Sequence, residues 1–248
     1  MKWVDPGQCW GLHGHSTTHC LIMLFMFILS NTDNSYIPRS VLVALIDFSK
    51  AFNRINHSKV KVRLSDWGVP GRLLEILVSY LSGRSMILRY KGVNSLCNLM
   101  PGGSPQGTLH WKLIYLVYVS DIGMDLPEIP AVAPGTIDIP SVAYPPTTAI
   151  TETEARLKFV DNLSIAGCTS SNVSNQETLQ KRLESINVSA KLHDMKLNLR
   201  KSKIMQFTFS KKHKLQPNIT LEGANLDVVS ETKLVGVTIT DNCKWDTW

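Results

Sequence analysis

The pattern of apolar and polar positions predicts buried strands and amphipathic helices along the chain. An unbroken apolar run over residues 41–46 is typical of a strand buried on both faces, and it ends on Asp47. From Gly71 onward, leucines recur on one helical face as far as Leu81, and Gly83 follows as a stop signal. The pattern therefore places a carboxylate at the carboxyl end of a buried strand, followed by a core helix.

A β-hairpin is predicted for "RLKFVDNLSIAGC", residues 156–168. Apolar residues alternate on both sides of Asp161 and Asn162, which puts these two polar residues at the hairpin tip. An Asp at a hairpin tip can bind a metal ion, but Asp is also a common turn residue. Taken alone, the segment favours the turn.

The rest of the pattern completes the outline. A helix is predicted after the hairpin, because Leu179, Leu183, Ile186 and Ala190 recur at helical spacing. Short alternating runs after it ("KIMQFTFS", "NITLEG", "KLVGVTIT") predict a β-rich end. Six of the twelve prolines fall in residues 127–146, so we expect an irregular loop insertion over residues 127–155.

Composition narrows the class. The chain has 248 residues and is 44% hydrophobic, enough to bury a real core. Five widely spaced cysteines without Cys-x-x-Cys favour a reducing, intracellular compartment, the nucleus or the cytoplasm. The longest apolar run, residues 21–29, is too short to cross a bilayer, so we interpret it as a buried helix and expect no membrane association.

Charge is spread unevenly. Residues 181–214 hold ten Lys/Arg against two acids, and residues 50–91 hold nine against two. Residues 121–161 instead hold seven acids against two bases. Basic stretches on either side of an acidic one suit a polyanion held by its backbone near metal-binding acids, although solvated helix faces explain the charges equally well.

Two carboxylates stand out, Asp47 at a strand end and Asp161 at a hairpin tip. Acids at the ends of adjacent strands are what two-metal phosphoryl transfer needs, since their oxygens hold Mg²⁺ ions beside the reacting phosphate. Spacing alone does not make these strands adjacent. A weaker alternative is a zinc site at the amino terminus, where two cysteines and three histidines crowd in a spacing that fits no standard finger: Cys9, His13, His15, His19 and Cys20.

Five segments in order resemble the consecutive polymerase motifs of reverse transcriptases, most closely those of non-LTR (LINE-like) retrotransposons: "VALIDFSKAFNRINH", "MPGGSPQGTL", "LKFVDNLSI", "MKLNLRKSKIMQF" and "KLVGVTI". The resemblance covers residues 7–248. It implies a right-hand polymerase palm of the α/β (α+β) class, with an antiparallel sheet backed by helices. It also implies that most of the fingers precede Met1 and the thumb follows Trp248, so we expect partial fingers and no complete thumb.

Site residues follow from the resemblance, position by position. Asp47 and Asp161 match the catalytic, metal-binding acids, with the main-chain oxygen of Phe48 and the side chain of Asn162 as further metal ligands for Mg²⁺ or Mn²⁺. Lys201 matches the lysine near the triphosphate. The remaining matches are the residue under the incoming sugar (Phe52), the nucleotide and template contacts (Pro105, Gln106, Gly107) and the primer grip (Leu234, Gly236).

Phe52, the "GGSPQG" turn, Lys201 and Gly236 also have ordinary structural interpretations, as a core side chain, a tight turn, a solvated lysine and a strand glycine. In "GGSPQG", the resemblance implies that glycines let the backbone approach a nucleic acid.

Departures from the family pattern qualify the expected activity. The hairpin motif usually ends Asp-Asp, whereas this chain has Asp161-Asn162, which keeps an oxygen ligand but loses a charge. After "SPQGTL", His110, Trp111 and Lys112 replace the usual glycine and small residues, which puts the packing of the following helix in doubt.

The sequence thus predicts three regions: partial fingers over residues 1–40, the palm over 41–210, and a β-rich end of the palm with the primer grip over 211–248. The predicted reaction is RNA-directed DNA synthesis from an RNA template, a DNA primer and deoxynucleoside triphosphates, and we expect Asn162 to weaken it. The alternative is a catalytically dead retroelement relic that at most binds nucleic acid non-specifically.

Overall fold

A computed structural model describes residues 4–32, 40–108, 110–123, 154–169, 172–209 and 217–243. The helices are α1 (Thr17–Thr32), α2 (His57–Asp66), α3 (Gly71–Leu81), α4 (Trp111–Val119) and α5 (Asn172–Leu192), with a 3₁₀ turn at Ala51–Arg54. The strands are β1 (Ser40–Asp47), β2 (Ser85–Met86), β3 (Arg89–Tyr90), β4 (Val93–Asn94), β5 (Asn98–Leu99), β6 (Glu154–Phe159), β7 (Asn162–Thr169), β8 (Lys203–Phe207), β9 (Thr220–Leu221), β10 (Ala224–Asn225), β11 (Asp227–Val228), β12 (Glu231–Leu234) and β13 (Val237–Thr240).

A five-stranded sheet in the order β11-β8-β1-β7-β6 organises the described residues. Strand β1 lies at its centre and pairs antiparallel with both β7 and β8. The outer strand β6 pairs antiparallel with β7, as the hairpin pattern predicts. The sheet departs from the predicted antiparallel arrangement at one edge, where β11 pairs parallel with β8.

The sheet is covered on both faces, which is why β1 is apolar throughout. Leu42, Ala44 and Ile46 point into one core, which they share with helices α2 to α5. Val41, Val43 and Leu45 point into a second core, which they share with α1. Successive side chains of a strand alternate between faces, so a strand between two helical layers buries every residue. The predicted burial of this strand is confirmed.

Helix α1 is less buried than the apolar run predicts. Cys20, Leu24, Phe27 and Ile28 are buried against the sheet. The opposite face, with Ile22, Met26 and Leu29, is 43–44% exposed. A helix that packs on one side of a sheet buries one stripe only, however apolar the rest of its surface is.

Strands β2 to β5, which follow α3 in the chain, form an exposed ribbon over residues 85–99. Strand β2 pairs with β5 and β3 pairs with β4, both antiparallel. Every residue of this ribbon is exposed, including Met86, Ile87, Leu88, Tyr90, Val93, Leu96 and Leu99. The predicted short strands are therefore present, but they lie outside both cores.

The predicted loop insertion lies almost entirely outside the described residues. Its last two residues, Glu154 and Ala155, belong to strand β6. Among the described helices, none is long and apolar enough to span a membrane. All five cysteines are described, and each is a free thiol.

Candidate active site

Pairing of β1 with β7 brings the two predicted carboxylates together. Asp47, the last residue of β1, stands opposite Asn162, the first residue of β7. Beyond this pair, the amide of Phe48 donates a hydrogen bond to the carbonyl oxygen of Asp161 at 3.2 Å. Residues that are 114 positions apart thus lie at one end of the sheet.

A third segment, residues 196–202, completes the surroundings of Asp47. The side-chain amide of Asn198 donates to Asp47 Oδ2 at 2.9 Å, and its backbone amide donates to the Asp47 carbonyl at 2.8 Å. The backbone amide of Asp47 donates to Ser202 Oγ at 3.2 Å. Lys201 Nζ lies 3.9 Å from Asp47 Oδ2, and its side chain is 71% exposed. Asp47 is therefore fixed by neutral hydrogen-bond partners, with one lysine loosely beside it.

The electrostatics of the pair favour a bound cation. Burial and the neighbouring Asp161 raise the pKa of Asp47, against the opposing effects of Lys201 and the Asn198 hydrogen bond. Burial, Asp161 and Asp47 also raise the pKa of the Tyr115 hydroxyl. These shifts indicate negative charge that the protein does not fully neutralise.

Backbone geometry at the hairpin tip presents Asp161. Val160 has φ +56°, a left-handed conformation that a β-branched residue seldom adopts. Its carbonyl accepts a hydrogen bond from the hydroxyl of Tyr115 at 3.0 Å. Tyr115 is buried in α4, so the tip is held by a side chain of that helix.

Asn162 is turned toward its neighbour. Its side-chain nitrogen donates to Asp161 Oδ1 at 3.2 Å. An aspartate at this position would have no proton to donate at neutral pH and would repel Asp161 instead. The substitution therefore converts a charge repulsion into a hydrogen bond, and it occupies one oxygen of the predicted metal ligand.

A cleft of about 550 Å³ opens at this end of the sheet. Six of the eleven predicted site residues line it: Asp47, Phe48, Phe52, Gln106, Asp161 and Lys201. The other predicted residues are placed elsewhere. Asn162 borders the cleft only through its bond to Asp161, Pro105 and Gly107 flank Gln106 without lining the cavity, and Leu234 is buried in the core beside α1. Gly236 lies in the turn between β12 and β13, with φ +90° and no atom within 4 Å of an added Cβ.

Further cleft residues were missing from the sequence-based prediction. Lys50, Arg54 and Lys196 add three cations to its walls, and Asn198 adds the amide bound to Asp47. Lys50 and Lys196 come from neighbouring segments, because the amide of Ser49 donates to the carbonyl of Lys196 at 2.7 Å. A signal existed for each, since Lys50 and Arg54 follow Asp47 within seven residues and the other two belong to the motif that contains Lys201.

Phe52 is part of an aromatic cluster at the side of the cleft. Its ring centroid lies 4.4 Å from that of Tyr115, 5.1 Å from Trp111 and 6.5 Å from Trp10. The side chain is half-buried and also lines the cleft. Phe52 thus packs as a core residue and also faces the cavity, and its role under the incoming sugar stays a prediction.

Glycines of the "GGSPQG" motif approach the protein's own backbone. A Cβ on Gly102 would lie 2.9 Å from the carbonyl oxygen of Ile55, and one on Gly103 would lie 3.2 Å from that of Phe52. Gly103 and Ser104 donate hydrogen bonds to these same two carbonyls, each at 2.8 Å. The observed close contact is therefore with the segment that carries Phe52.

Replacement of the usual small residues by His110, Trp111 and Lys112 is accommodated. Trp111 fills space beside Phe52 and Trp10, and Lys112 points outward. The ring of His110 lies 5.5 Å from that of Tyr80. Helix α4 is buried at every position from Ile114 to Val119, so the substitutions leave its packing intact.

The donor set at the cleft fits a hard divalent cation. Carboxylate oxygens of Asp47 and Asp161 and the adjoining carbonyl of Phe48 are oxygen ligands of the kind that Mg²⁺ and Mn²⁺ prefer. Burial and the neighbouring Asp161 raise the pKa of Asp47, and a bound cation would offset both effects. In the described part of the chain, no group of three or more His, Cys, Asp or Glu side chains is arranged to hold a metal, which argues against the amino-terminal zinc site.

The fold and the carboxylate pair define a class. A sheet with two acids at the ends of adjacent central strands, backed by helices, is a palm-type polymerase fold, as the sequence predicts. Solved telomerase structures share it. The apo telomerase of Candida tropicalis truncated from its C-terminal domain superposes with a TM-score of 0.56 at 14% identity, over 92% of this chain and 39% of that chain. The telomerase of the same organism in complex with a TWJ fragment of telomeric RNA gives 0.59 at 12% identity, over 94% and 33%.

Sequence comparison leads to transposon proteins. The chain is 28% identical over 232 residues to "Probable RNA-directed DNA polymerase from transposon BS" of Drosophila melanogaster, which is 91% of this chain and 22% of that protein. It is 28% identical over 120 residues to "Probable RNA-directed DNA polymerase from transposon X-element" of the same organism, 48% of this chain and 13% of that protein. No protein-family model matches the chain. The predicted resemblance to non-LTR transposon polymerases is confirmed over most of the chain, which spans about a fifth of the length of the first of these relatives.

Proposed function

We propose that this chain is the palm of an RNA-directed DNA polymerase, which extends a DNA primer on an RNA template with deoxynucleoside triphosphates. The observation that carries the proposal is the register of β1 and β7, which sets Asp47 beside the Asp161 tip at the wall of one cleft. Similarity to the two transposon polymerases supports the same reaction.

In this proposal, Asp47 and Asp161 hold Mg²⁺ or Mn²⁺, with the carbonyl of Phe48 as a further ligand. The metal supplies activation of the primer 3′-hydroxyl and neutralisation of phosphate charge. The primer oxygen bonds to the α-phosphorus while the bond from that phosphorus to the leaving pyrophosphate breaks, and the hydroxyl proton passes to solvent. Asn198 keeps the Asp47 carboxylate oriented throughout by donating to Oδ2.

Cations on the cleft walls support a polyphosphate substrate. Lys50, Arg54, Lys196 and Lys201 line the same cavity as the two acids. Within the described residues, the first three of these cations form no ion pair with an acid, so their charge is available to a ligand. Lys201, 3.9 Å from Asp47, is placed to neutralise or protonate the departing pyrophosphate.

The remaining cleft residues support a nucleotide beside the metal site. Phe52 lines the cavity, and its bulky side chain would exclude a ribose 2′-hydroxyl. Gln106 also lines the cleft and would contact the nucleotide or template with its amide. An RNA template is consistent with the RNA present in one structurally similar telomerase. We place the reaction inside the cell, in the nucleus or cytoplasm, where the five free thiols would stay reduced.

Asn162 favours a second candidate, a palm that binds nucleic acid but no longer polymerises. Its amide occupies Asp161 Oδ1 and contributes no charge. A site with one carboxylate fewer binds divalent cations more weakly, since the missing charge faces two dications and a triphosphate. The two candidate functions differ in whether Asp47 and Asp161 alone bind the divalent cations well enough for polymerisation.

Primer extension on an RNA template in Mg²⁺ tests the proposal. Extension by the parent chain should fall by about a thousandfold or more in Asp47→Ala, since both the metal and its chemistry are lost. Asn162→Asp should raise extension by about tenfold or more, because it adds a third acid to the site, opposite Asp47. Asp227→Ala, at an exposed position of β11, is the matched control and should leave extension unchanged.

Extension that survives Asp47→Ala would contradict the proposed site. Activity that appears only in Asn162→Asp would mean that the scaffold is competent and Asn162 disables it. No extension by any of the folded variants, together with retained RNA binding, would favour the second candidate.

A further inference from the structure

Asp5 is a buried acid near the amino terminus, far in sequence from the cleft. It is 1% exposed, and its two carboxylate oxygens contact separate cations. Oδ2 lies 2.7 Å from Lys158 Nζ, and Oδ1 lies 3.0 Å from an Arg156 guanidinium nitrogen. Oδ1 also accepts a hydrogen bond from the amide of Gly7 at 2.9 Å. We refer to Asp5, Arg156 and Lys158 as the amino-terminal clamp.

The two cations of the clamp also hold the end of helix α4. Lys158 Nζ donates to the carbonyls of Val119 and Ser120 at 3.3 and 3.2 Å. Arg156 donates to the carbonyl of Gly123 at 2.6 Å. Cations at the carboxyl end of a helix satisfy carbonyls that lack intrahelical partners. The clamp therefore joins residues 5–9, the end of α4 and strand β6.

Backbone hydrogen bonds extend the same contact along the sheet edge. Gln8 forms a parallel bridge with Lys158. The amide of Cys9 donates to the Lys158 carbonyl, and the amide of Lys158 donates to the Gly7 carbonyl, both at 2.8 Å. Strand β6 is the edge of the five-stranded sheet, so residues 7–9 cover what would otherwise be an open edge.

Strand β6 leads directly to the hairpin tip. Lys158 is separated from Asp161 by Phe159 and Val160 only. The tip has a left-handed residue, Val160, whose carbonyl is bound by Tyr115 of α4. Strand β6 and helix α4 both hold the tip, so the position of the tip depends on how β6 packs against α4. The clamp fixes that packing on the side of β6 that faces away from β7.

The buried charges of the clamp contribute little net free energy to folding. Desolvation of buried ions offsets most of their attraction, and apolar residues of similar volume stabilise a core as well or better. What a buried ion cluster does provide is one geometry, because its charges must meet specific partners. Burial alone would raise the pKa of Asp5, but Lys158 and Arg156 outweigh it and lower that pKa below its ordinary value. Asp5 is therefore ionised in the folded chain at neutral pH.

We propose that Asp5 is a positioning residue for Asp161, which acts through Lys158 and Arg156 to fix β6 against α4 and so to place the Asp161 carboxylate beside Asp47. The inference rests on the proposed metal-binding role of these two acids. A metal site must be held within about half an ångström of its working geometry, so a small shift of the hairpin weakens metal binding without unfolding the chain.

Binding of Mn²⁺ alone to the folded chain tests the inference, measured by the electron paramagnetic resonance of free Mn²⁺ with circular dichroism on the same samples. Asp5→Asn should weaken Mn²⁺ binding by about tenfold per folded molecule. Asp5→Glu should restore part of it. The matched control is Glu154→Gln, which removes another ion pair of β6, that with Arg182, at the end distant from the tip. It should leave Mn²⁺ binding within about twofold.

A milder variant keeps the test decisive if Asp5→Asn does not fold. Arg156→Met removes one cation of the clamp and leaves the contact between Asp5 and Lys158, so we expect a folded chain with a smaller loss of Mn²⁺ affinity. Primer extension gives a second readout: the Mg²⁺ concentration for half-maximal rate should rise in both clamp variants, whereas a merely structural effect would lower the folded fraction and leave that concentration unchanged.

Failure of the clamp and failure of the proposed function give different results. If the parent binds Mn²⁺ and Asp161→Asn weakens that binding, but folded Asp5→Asn and Arg156→Met bind as the parent does, the clamp inference is wrong and the metal site stands. An equal loss in Glu154→Gln would also overturn the inference. If Asp161→Asn does not change Mn²⁺ binding, the proposed metal site fails, and the positioning role fails with it.

Discussion

At the scale of single residues, the Asp47–Asp161 pair costs the folded chain free energy when no cation is bound. Two carboxylates lie at one sheet end, and neutral groups orient Asp47 without cancelling its charge: Asn198 donates to its carboxylate, and Ser202 Oγ accepts from its backbone amide. The raised pKa of Asp47 expresses this cost. Functional sites commonly keep such unfavourable charge because a ligand uses it.

Asp47→Asn should therefore stabilise the metal-free chain at neutral pH, by less than about 1 kcal/mol. Burial and Asp161 raise the pKa of Asp47, so the ionised group destabilises the fold. The cost is absent below the unfolded pKa of 3.8, grows as pH rises through the raised folded pKa, and is constant above it. Thermal melts of parent and variant over this pH range measure the difference.

Addition of Mg²⁺ should reverse the order of stability, so that the parent becomes more stable than Asp47→Asn. The metal binds the parent and raises its midpoint of unfolding, whereas Asp47→Asn has lost a ligand and should respond weakly. A parent chain whose midpoint does not respond to Mg²⁺, or a variant less stable than the parent in its absence, would contradict this account of the pair.

Phe52 offers a second prediction at this scale. Phe52→Val should raise incorporation of ribonucleotides relative to deoxyribonucleotides by about tenfold or more, because the smaller side chain leaves room for a 2′-hydroxyl. Loss of ring contacts with Tyr115 and Trp111 should also cost about 1–2 kcal/mol of stability. Single-nucleotide extension with each nucleotide measures the ratio, with Phe25→Val of α1 as a control away from the cleft. A variant that loses stability while the ratio stays constant would make Phe52 a core residue only.

The sequence allowed some of these residues to be predicted, and others were missed. Asp47 and Asp161 are visible as polar ends of apolar runs, but their adjacency came only from the family resemblance, because strand pairing between distant segments has no local signal. Lys50, Lys196 and Asn198 were missed, since each looks like an ordinary solvated residue until β1 and the segment after α5 meet. Asp5 was missed for the same reason, 151 residues away from Arg156.

At the scale of elements, the glycine motif ties the ribbon's base to the 3₁₀ turn that carries Phe52. Gly103→Ala should cost about 1–3 kcal/mol more than Gly107→Ala. Both glycines have φ +88°, so both variants bear the same backbone strain, but only at Gly103 would a Cβ press on Phe52 and Asn53, at 3.2–3.4 Å. Denaturant unfolding of the two variants isolates the cost of close approach. Equal losses would mean that the 3₁₀ turn yields freely.

Helices and strands were predictable where apolar residues recurred with a single period. Strand β1, the hairpin of β6 and β7, and helices α3 and α5 were all predicted from apolar spacing and are confirmed. The pattern failed for α1, because nothing in a uniformly apolar run marks which face meets solvent. Residues 7–9 had no strand pattern at all, since their pairing with β6 is fixed by the buried charges of the clamp rather than by alternation.

At the scale of the whole molecule, ion pairing leaves an excess of positive charge on particular surfaces. The chain has 26 Lys/Arg against 20 acids, for a net charge of +6. Several described acids are neutralised locally, in pairs of Asp121 with Arg63, Asp194 with Lys59, Glu154 with Arg182, Glu222 with Lys191 and Asp227 with Lys203. The sequence has no Asp or Glu between Glu75 and Asp121, and the exposed ribbon of β2 to β5 lies in this interval.

The ribbon's cations should therefore contribute to RNA binding if the proposed template passes from the cleft along this surface. Replacing Arg89 and Lys91 with Ser should weaken binding of a single-stranded RNA by about tenfold at 0.1 M salt, and should reduce the slope of log K against log salt by about 1.4, or about 0.7 per lost contact. Fluorescence anisotropy with a labelled oligonucleotide measures both quantities.

The matched control removes the same charge from α5. Lys181→Ser with Lys191→Ser changes two exposed lysines, one of which pairs with Glu222. If the interaction depends on net charge alone, both double variants should lose affinity equally. A reduced slope confined to the ribbon variant would place RNA on the ribbon, which is joined to the cleft wall through the bonds from Gly103 to Ile55 and from Ser104 to Phe52. An unchanged slope would remove the ribbon from the RNA path and leave its exposed apolar side chains to another contact.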